Sequence, residues 1–484
     1  MSKCSIGSCS NNSLNSNNLD DEQNKCILHS KKDKYKKSID KLFNHSLVIY
    51  ITENLTDKNE IDLIDIFFPE DFNYQIIFNL SNHITFRNCT FNKQNLDIKL
   101  DLNNCKKIHF ISCEFNKKWL HFNIYDICYS ECNFHDCIIF YKDYNNQPNK
   151  INMVCIQRSN IYQKFDLDFS FDNVELCEVS MLDLSDTVFH EKVEIKQCKI
   201  NNANLINTKF LGLCDFYKTI FIDDPFFYKT TFNDISVFTE SIFNKNVNFQ
   251  YTTFSKLVLF RKTQFKGSIN LIDSLIQEEA NFLDIKNENQ KKLEVNNIKN
   301  RETARIIKHS FEKQDNIIEA NKFYALEMEK RGEELKFLKT PFEWLVFKTH
   351  KISSNHSQDW VLTLFWIINI TFIYGLVWIQ NTLVGSILTF FIPLISIMGL
   401  SILVSLLQTK LKTIILIVII LALYPLYGLL SNDYQLIEFS KNINPFSIMT
   451  GNYKLNFGLF IYKILIAYLI YQLVISIRQN TRRR

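Results

Sequence analysis

Three things are missing from this sequence. It has no glycine-rich phosphate loop, no G-x-S-x-G and no H-E-x-x-H, and its 10 histidines are scattered. The common nucleotide-binding, nucleophile-elbow and zinc-protease chemistries therefore have nowhere to sit, and no catalysis is expected. Charge excess is missing too. The 55 Lys and Arg against 51 Asp and Glu leave +4 over 484 residues, which calls for neither nucleic acid nor an acidic substrate. The opening stretch, "MSKCSIGSCSNNSLNSNNLDDEQNK", lacks an apolar core and a cleavage pattern, so the N-terminal region is expected to stay in the cytosol. In that reducing compartment the 13 cysteines should be core residues or metal ligands rather than disulfides. Glycine and proline are scarce, at 10 and 7, while Asn, Lys, Ile and Phe abound, a bias that an AT-rich genome would explain.

What is present changes character along the chain. Residues 1–40 are polar and basic, 41–290 are rich in β-formers, 296–340 read as helix, and long apolar runs dominate from Val361. The strongest pattern lies in the second zone. In elevens from Cys214, the third position is Phe216, Phe227, Phe238, Phe249, Phe260, Leu271 and Phe282. The eighth is Phe221, Phe232, Phe243, Phe254, Phe265 and Ile276. Two residues before each eighth position stands a small residue: Thr219, Thr230, Ser241, Thr252, Thr263, Ser274. Upstream the beat is a plain five, through Val179, Leu184 and Phe189, then Ile195, Ile200, Leu205 and Phe210. So short a period marks a solenoid. The large residue points to the axis and stacks on its counterpart about 4.8 Å away. The small residue also points inward, and the rod needs caps at its ends. Cys89, Cys113, Cys132, Cys137, Cys177, Cys198 and Cys214 each fall at the small inward position. "CYSECNFHDC" (128–137) therefore reads as packed core rather than a metal cluster.

Over roughly residues 80–285 this pattern resembles the pentapeptide-repeat proteins. The resemblance implies an all-β, right-handed quadrilateral β-helix spanning 84–290, with 41–83 as its N-terminal cap. The stretch 141–164 breaks the beat and is expected to be a loop or bulging insertion.

Cys4, Cys9, Cys26 and His29 lie outside the repeat, in a stretch too polar to bury them. Their spacing, C-x4-C-x16-C-x2-H, is that of a tetrahedral structural zinc site. The alternative is a tail with incidental cysteines. The basic run "SKKDKYKKSIDK" that follows suits either a solvated face or anionic headgroups. Between 296 and 340 two helices are expected to form a hairpin. Ala304, Ile307 and Phe311 share one face of the first, and Asn316 with Glu319 has capping-box spacing for the second. The apolar stripes can cap the open end of the rod.

Four segments are long and apolar enough to form a four-helix α-helical membrane domain over 361–477: about 361–379, 383–407, 413–430 and 457–477. Positive charge before the first, between the second and third, and after the fourth (the basic tail 478–484) puts both termini in the cytoplasm. Trp360, Trp366 and Trp378 are expected at the interface, as are His350 and His356. Lys463 lies inside the last segment, where a charge either snorkels or serves a pore or pairing role. Some bacterial pentapeptide-repeat proteins carry a membrane region resembling a two-helix pore, and 431–484 has that layout without a potassium-filter sequence.

The expectation is a multi-pass protein of a bacterial inner membrane. Its cytoplasmic solenoid would bind a protein partner as a scaffold, with no nucleic acid, and a homo-oligomer could form through the membrane helices. The competing expectation is an ion channel or transporter-like pore with the solenoid as sensor. Outward residues such as Glu240, Lys245, Tyr251, Arg261 and Lys262 would form any binding surface.

Overall fold

The computed structural model describes residues 25–31, 40–55, 60–69 and 81–167, the last range apart from 82, 93–95, 99–106, 117–118, 123–125, 136–137 and 142–149. It also describes 177–380, 412–431, 433–446, 457–481 and the isolated residues 72, 77 and 399. The chain divides into two compact units, Met1–Gln314 and Asp315–Arg484.

The first unit is a parallel β-solenoid. Two sheets have ten strands and one has nine, and a short fourth pairs Val247–Asn248 with Ile269–Asn270. Each strand hydrogen-bonds the equivalent strand of the next coil, so the inward residues stand in columns. Phe216, Phe238, Phe260 and Phe282 form one column, with stacked rings 5.1, 5.0 and 5.0 Å apart. Phe189, Phe210, Phe232 and Phe254 form another at 5.1 Å throughout. Across the axis the rings meet edge-on, as Phe227 does with Phe238 at 5.7 Å. Rings are thus stacked along the rod and edge-to-face across it, both favourable aromatic geometries. All the phenylalanines of the eleven-residue pattern are buried.

The corners explain the alternation of five and six. In each five-residue step a four-residue turn closes, as Thr219 N–H donates to the Phe216 carbonyl and Thr252 N–H to that of Phe249. The third residue of these turns is left-handed: Lys218, Lys229, Glu240, Tyr251, Lys262 and Asp273 have φ between 55° and 60°. None is glycine. The six-residue steps turn without such a residue. One contains Gly267, where a Cβ would come within 2.5 Å of the Lys245 carbonyl carbon, so close approach of neighbouring coils demands glycine there.

The small inward residues do more than fit. Thr187, Thr208, Thr219, Thr230, Ser241, Thr252 and Thr263 are buried, and each hydroxyl donates to a carbonyl of the adjoining coil at 2.6–2.8 Å. Cys89, Cys113, Cys132 and Cys198 occupy the same position and aim Sγ at the equivalent carbonyls, 3.2–3.5 Å away. Burial raises the thiols of Cys89 and Cys132 above their ordinary value, keeping the proton on sulfur. Cys214 is likewise buried. Cys137 and the side chain of Cys177 lie outside the described residues.

Two expected boundaries move. The region taken as a cap already carries the first coil, because Glu60–Ile64 pairs with His83–Arg87 and Phe67–Phe68 with Thr90–Phe91. The cap proper is helix α1, Asp40–Asn54. It buries Phe43, Leu47, Tyr50 and Ile51, with Phe43 edge-on to Phe68 and Phe72. The expected loop at 141–164 is, from Lys150 to Gln157, an eight-residue strand. It pairs with Asp126–Ser130 on one side and Cys177–Asp183 on the other. Its inward residues Val154 and Ile156 align with Ile127 and Tyr129, and Ile156 stands five residues before the buried Ile161, so the beat resumes inside the stretch.

At the other end, helix α2 (Arg301–Lys313) closes the rod. Ala304, Ile307 and Phe311 are buried, as their shared face requires. The Thr303 hydroxyl accepts from Leu271 N–H at 2.8 Å, and Gln314 donates to the Ala280 carbonyl at 2.9 Å. These bonds satisfy edge groups that the last coil would otherwise leave open.

The second unit begins with α3 (Ile317–Glu334), whose Asn316 side chain accepts from Glu319 N–H as the capping pattern requires. Then follow α4 (Pro341–Ser354), α5 (Trp360–Gln380), α6 (Lys412–Ser431), the short α7 (Ile437–Ile443) and α8 (Phe457–Thr481). Helix α5 packs against α4, α6, α7 and α8. Among the described residues one helical stretch, Phe457–Gln479, is long and apolar enough to cross a membrane; Trp360–Gly375 and Ile414–Leu429 are shorter apolar stretches. The second expected span, 383–407, lies outside the described residues apart from Gly399.

Candidate functional site

With the core columns facing inward, the remaining side chains of each strand form outward ladders along the rod. The residues singled out as surface candidates stand on it. Glu240 sits between Lys218 and Lys262, at 3.8 and 3.4 Å, and Lys245 pairs with Asp223. Tyr251 is 45% exposed and lies edge-on to Tyr228 at 5.5 Å. Arg261 is exposed. Exposed pairs of this kind contribute little to stability, which leaves the charges available to a partner.

Two outward features escaped the sequence pattern. His135, Tyr162 and His190, each one residue past an inward centre, stack face to face on three successive coils at 5.3 and 4.5 Å. They form a flat aromatic strip on the sheet that runs from Phe67–Phe68 to Leu275–Ile276. The register of 134, 161 and 189 places 135, 162 and 190 in line, across coils of unequal length. The second is Glu194, a buried carboxylate surrounded by the ammonium groups of Lys164, Lys192 and Lys196. Burial alone would raise its pKa, but Lys164, Lys196 and Lys192 hold it down to about 2. It is a structural knot, and no sequence spacing signals it.

The N-terminal ligand set is only partly in view. Cys26 Sγ lies 2.9 Å from His29 Nδ1, and both are buried, as are Ile27, Leu28 and Ser30. The stretch is thus not too polar to bury at this point: the Leu28 carbonyl accepts from Phe67 N–H, fixing the segment against the first coil. Cys4 and Cys9 lie outside the described residues. Cys26 and His29 can supply two ligands to a metal, a soft thiolate and an imidazole.

In the second unit Lys463 is buried and does not extend toward solvent. Its ammonium donates to the carbonyls of Asn442 at 2.7 Å, Asn444 at 2.8 Å and Lys441 at 3.3 Å. These carbonyls lie at the C-terminal end of α7, where a cation is favoured, and that of Asn442 also accepts from the Tyr462 hydroxyl. Of the two expected interfacial histidines, His356 is buried and His350 half-buried. His350 and His356 approach at 3.1 Å between Nδ1 atoms, and Ser357 links His350 to Gln472 of α8. Burial, helped by His350, Lys351, Arg331 and Lys348, lowers His356 to about 4. Trp366 is buried and donates to the Ile352 carbonyl at 2.9 Å, so it ties α5 to α4 instead of facing an interface. Trp360, by contrast, is 43% exposed.

The unit's outer surface is strongly apolar. Leu338, Phe342 and Val346 are 93%, 82% and 69% exposed, and Lys336, Lys339, Lys348 and Lys351 lie in the same segment. Ile414, Val418, Leu421 and Leu429 of α6 and Phe457, Ile464, Tyr471 and Val474 of α8 are more than half exposed. Large exposed apolar areas mark contact surfaces for a membrane or another protein. The chain matches no family model, no curated protein and no solved structure.

Proposed function

We propose that this chain is a membrane protein whose second unit sits in the bilayer and whose solenoid is a pentapeptide-repeat-type, right-handed, four-sided rod that binds a protein partner as a scaffold. The observation that carries the reading is the pairing of a rod packed with inward aromatic columns with a helical unit clad in exposed apolar side chains. Fully buried phenylalanine columns bind nothing; they hold the outward ladders rigid at the coil spacing. The strip of His135, Tyr162 and His190 offers aromatic area, the kind of side chain that dominates protein interfaces. No catalysis is assigned to it.

The membrane placement follows the positive charges: Lys336, Lys339, Lys348 and Lys351 before α5 and Arg478 and Arg482 after the last span put both termini and the rod on the cytoplasmic side of a bacterial inner membrane. A structural zinc held by Cys4, Cys9, Cys26 and His29 would fasten the N-terminal segment to the first coil. The scaffold reading is preferred to a conducting pore because carbonyls engage the Lys463 ammonium.

The test uses full-length protein in the membranes of an expressing cell. It should resist alkaline carbonate extraction, and proteases added to spheroplasts should leave the rod intact. Photo-crosslinking from position 162 should then capture a discrete partner band that disappears in the His135→Ala, His190→Ala variant. Extraction by carbonate would refute the membrane reading. An unchanged band in the variant would refute the strip as the binding surface.

A further inference from the structure

Two cysteines do not follow the core rule. Ile127 and Tyr129 point to the axis, so Cys128 between them points out. Val154 and Ile156 are inward in the same way, and Cys155 lies between them. The two cysteines are register partners on adjoining coils, and their sulfurs are 3.1 Å apart. Cys128 is partly exposed, whereas Cys155 is 5% exposed. Their neighbours along the ladder are His109 on one side and Asp183 on the other. The Asp183 carboxylate is occupied by the Gln157 amide at 2.8 Å and by Ser185 N–H at 3.1 Å.

From this juxtaposition we propose that Cys128 and Cys155 form a peroxide-responsive dithiol, with Cys128 the attacking thiolate and Cys155 the resolving thiol. The register supplies the geometry. In-register residues on neighbouring parallel strands lie about 4.8 Å apart, within the Cα separation a disulfide spans. The chemistry follows from the surroundings. The Cys155 S–H beside it, with the Ser130 hydroxyl and Lys107, outweighs burial and Asp183 to pull Cys128 down to about 7, while Cys155 is pushed up. A thiolate is the nucleophile, and it is available at the more exposed sulfur.

The reaction balances with a hydroperoxide as oxidant. Cys128 thiolate attacks one peroxide oxygen, the O–O bond breaks, and a sulfenic acid and hydroxide result. The Cys155 sulfur then attacks the Cys128 sulfur. The S–S bond forms, the S–O bond breaks, and hydroxide leaves with the Cys155 proton as water. A dithiol reductant reverses the change by exchange. The core thiols provide the internal control. Cys89, Cys113, Cys132, Cys198 and Cys214 are buried, and the first four are committed to carbonyls.

The experiment treats full-length protein with hydrogen peroxide at neutral pH, blocks remaining thiols with an alkylating agent, and maps the peptides by mass spectrometry. Cys128 and Cys155 should appear joined, should be released by dithiothreitol, and should react at least about tenfold faster than Cys214, whose thiol burial pushes up. Cys155→Ser should instead accumulate a dimedone-reactive sulfenic acid at Cys128, and Cys128→Ser should abolish both products. Circular dichroism before oxidation shows whether each variant is folded. The proposal is overturned if Cys128 and Cys155 stay alkylatable in folded wild-type protein, if the core thiols oxidise equally fast, or if the sulfenic acid collects on Cys155 in the Cys128→Ser variant.

Discussion

The two halves of the rod follow the same plan with different regularity. From Cys177 to Phe282 the coil length is nearly constant, 21 residues from Cys177 to Cys198 and from Val188 to Lys209, then 22 from Thr231 to Thr253 and from Val258 to Ala280. From Glu60 to Ile161 the coil length wanders: Thr90 to Glu114 is 24 residues, Glu114 to Asn133 is 19, and Asn133 to Asn160 is 27. The columns do not register the difference. Phe91, Phe115 and Phe134 stack at 4.8 and 4.4 Å, and Phe232 meets Phe254 at 5.1 Å. Rung spacing is set by backbone pairing and inward packing, so extra residues leave the rod at its corners. The halves also differ in chemistry. One column of inward donors changes from thiols (Cys89, Cys113, Cys132) to hydroxyls (Thr187, Thr208) that donate to the neighbouring coil, and at Ser159 between them the hydroxyl donates to Gln157 of its own coil and accepts from Cys132 N–H of the adjoining one.

If the core plan is common to both halves, cutting the same kind of residue should hurt both alike. Phe238→Ala and Phe115→Ala should each cost about 3–5 kcal/mol, the range for a buried phenylalanine leaving a cavity. Denaturant midpoints and hydrogen exchange across the neighbouring coils would measure it. A loss at Phe115 less than half that at Phe238 would mean the irregular half relaxes around cavities, and the comparison would break there.

Glu194 lies between the two regimes and gives the next largest effect. Its carboxyl sits below its ordinary value of 4.5, at about 2. Folding therefore gains stability that is fully present above pH 4.5 and is lost as pH falls through about 2. Lys164 and Lys192 are 38% and 45% exposed, so solvent screening reduces the gain; roughly 1–2 kcal/mol remains. The Glu194→Gln variant should lose most of the fall in thermal midpoint between pH 5 and pH 2. An undiminished fall would place the acid sensitivity elsewhere.

Next come the donor columns. Thr252→Val removes the hydroxyl bond to the Phe227 carbonyl, but that carbonyl keeps the N–H of Thr230. The cost should be about 1 kcal/mol, the worth of one hydrogen bond without an orphaned partner. Cys113→Ser should be close to neutral, because a hydroxyl can donate to the same Phe86 carbonyl. If Cys113→Ser costs as much as Thr252→Val, thiol and hydroxyl are not interchangeable, and the columns are distinct devices.

The regular half was legible because its signals repeat. Phe216, Phe221 and Phe227 already fix which side faces the axis, and the threonines ahead of them mark the turns. Ala304, Ile307 and Phe311 gave the capping face of α2 in the same way. The first coil was not legible, because Glu60–Ile64 and Phe67–Phe68 are too few to set a beat before the rod has begun. The strand at Lys150–Gln157 was not legible because the polar run 142–149 interrupts the pattern just before Ile156 and Ile161 resume it. The outward features depended on register between coils of unequal length, which no fixed spacing encodes. That is why the strip of His135, Tyr162 and His190, the knot at Glu194 and the pair of Cys128 and Cys155 emerged only in three dimensions. Lys463 was recognisable as unusual, but its partners at the end of α7 lie about 20 residues away in sequence.

The smallest expected effect tests the corners, where the halves differ least obviously. Asn88 in the irregular half and Lys262 in the regular half are both left-handed, with φ of 52° and 57°. Asparagine tolerates this conformation better than lysine, because its short polar side chain bonds locally to the backbone. The Lys262 ammonium pairs with Glu240 at 3.4 Å with both partly exposed, so losing that pair costs little. Lys262→Asn should therefore stabilise the rod by about 0.5 kcal/mol, and Asn88→Lys should destabilise it by a similar amount. Matched denaturation curves would resolve the two signs. Opposite signs of equal size would mean that the turn is one device in both halves, whatever the length of the coil it closes. A loss at Lys262 would mean that the charged ladder on the regular half, rather than backbone conformation, selects the corner residue.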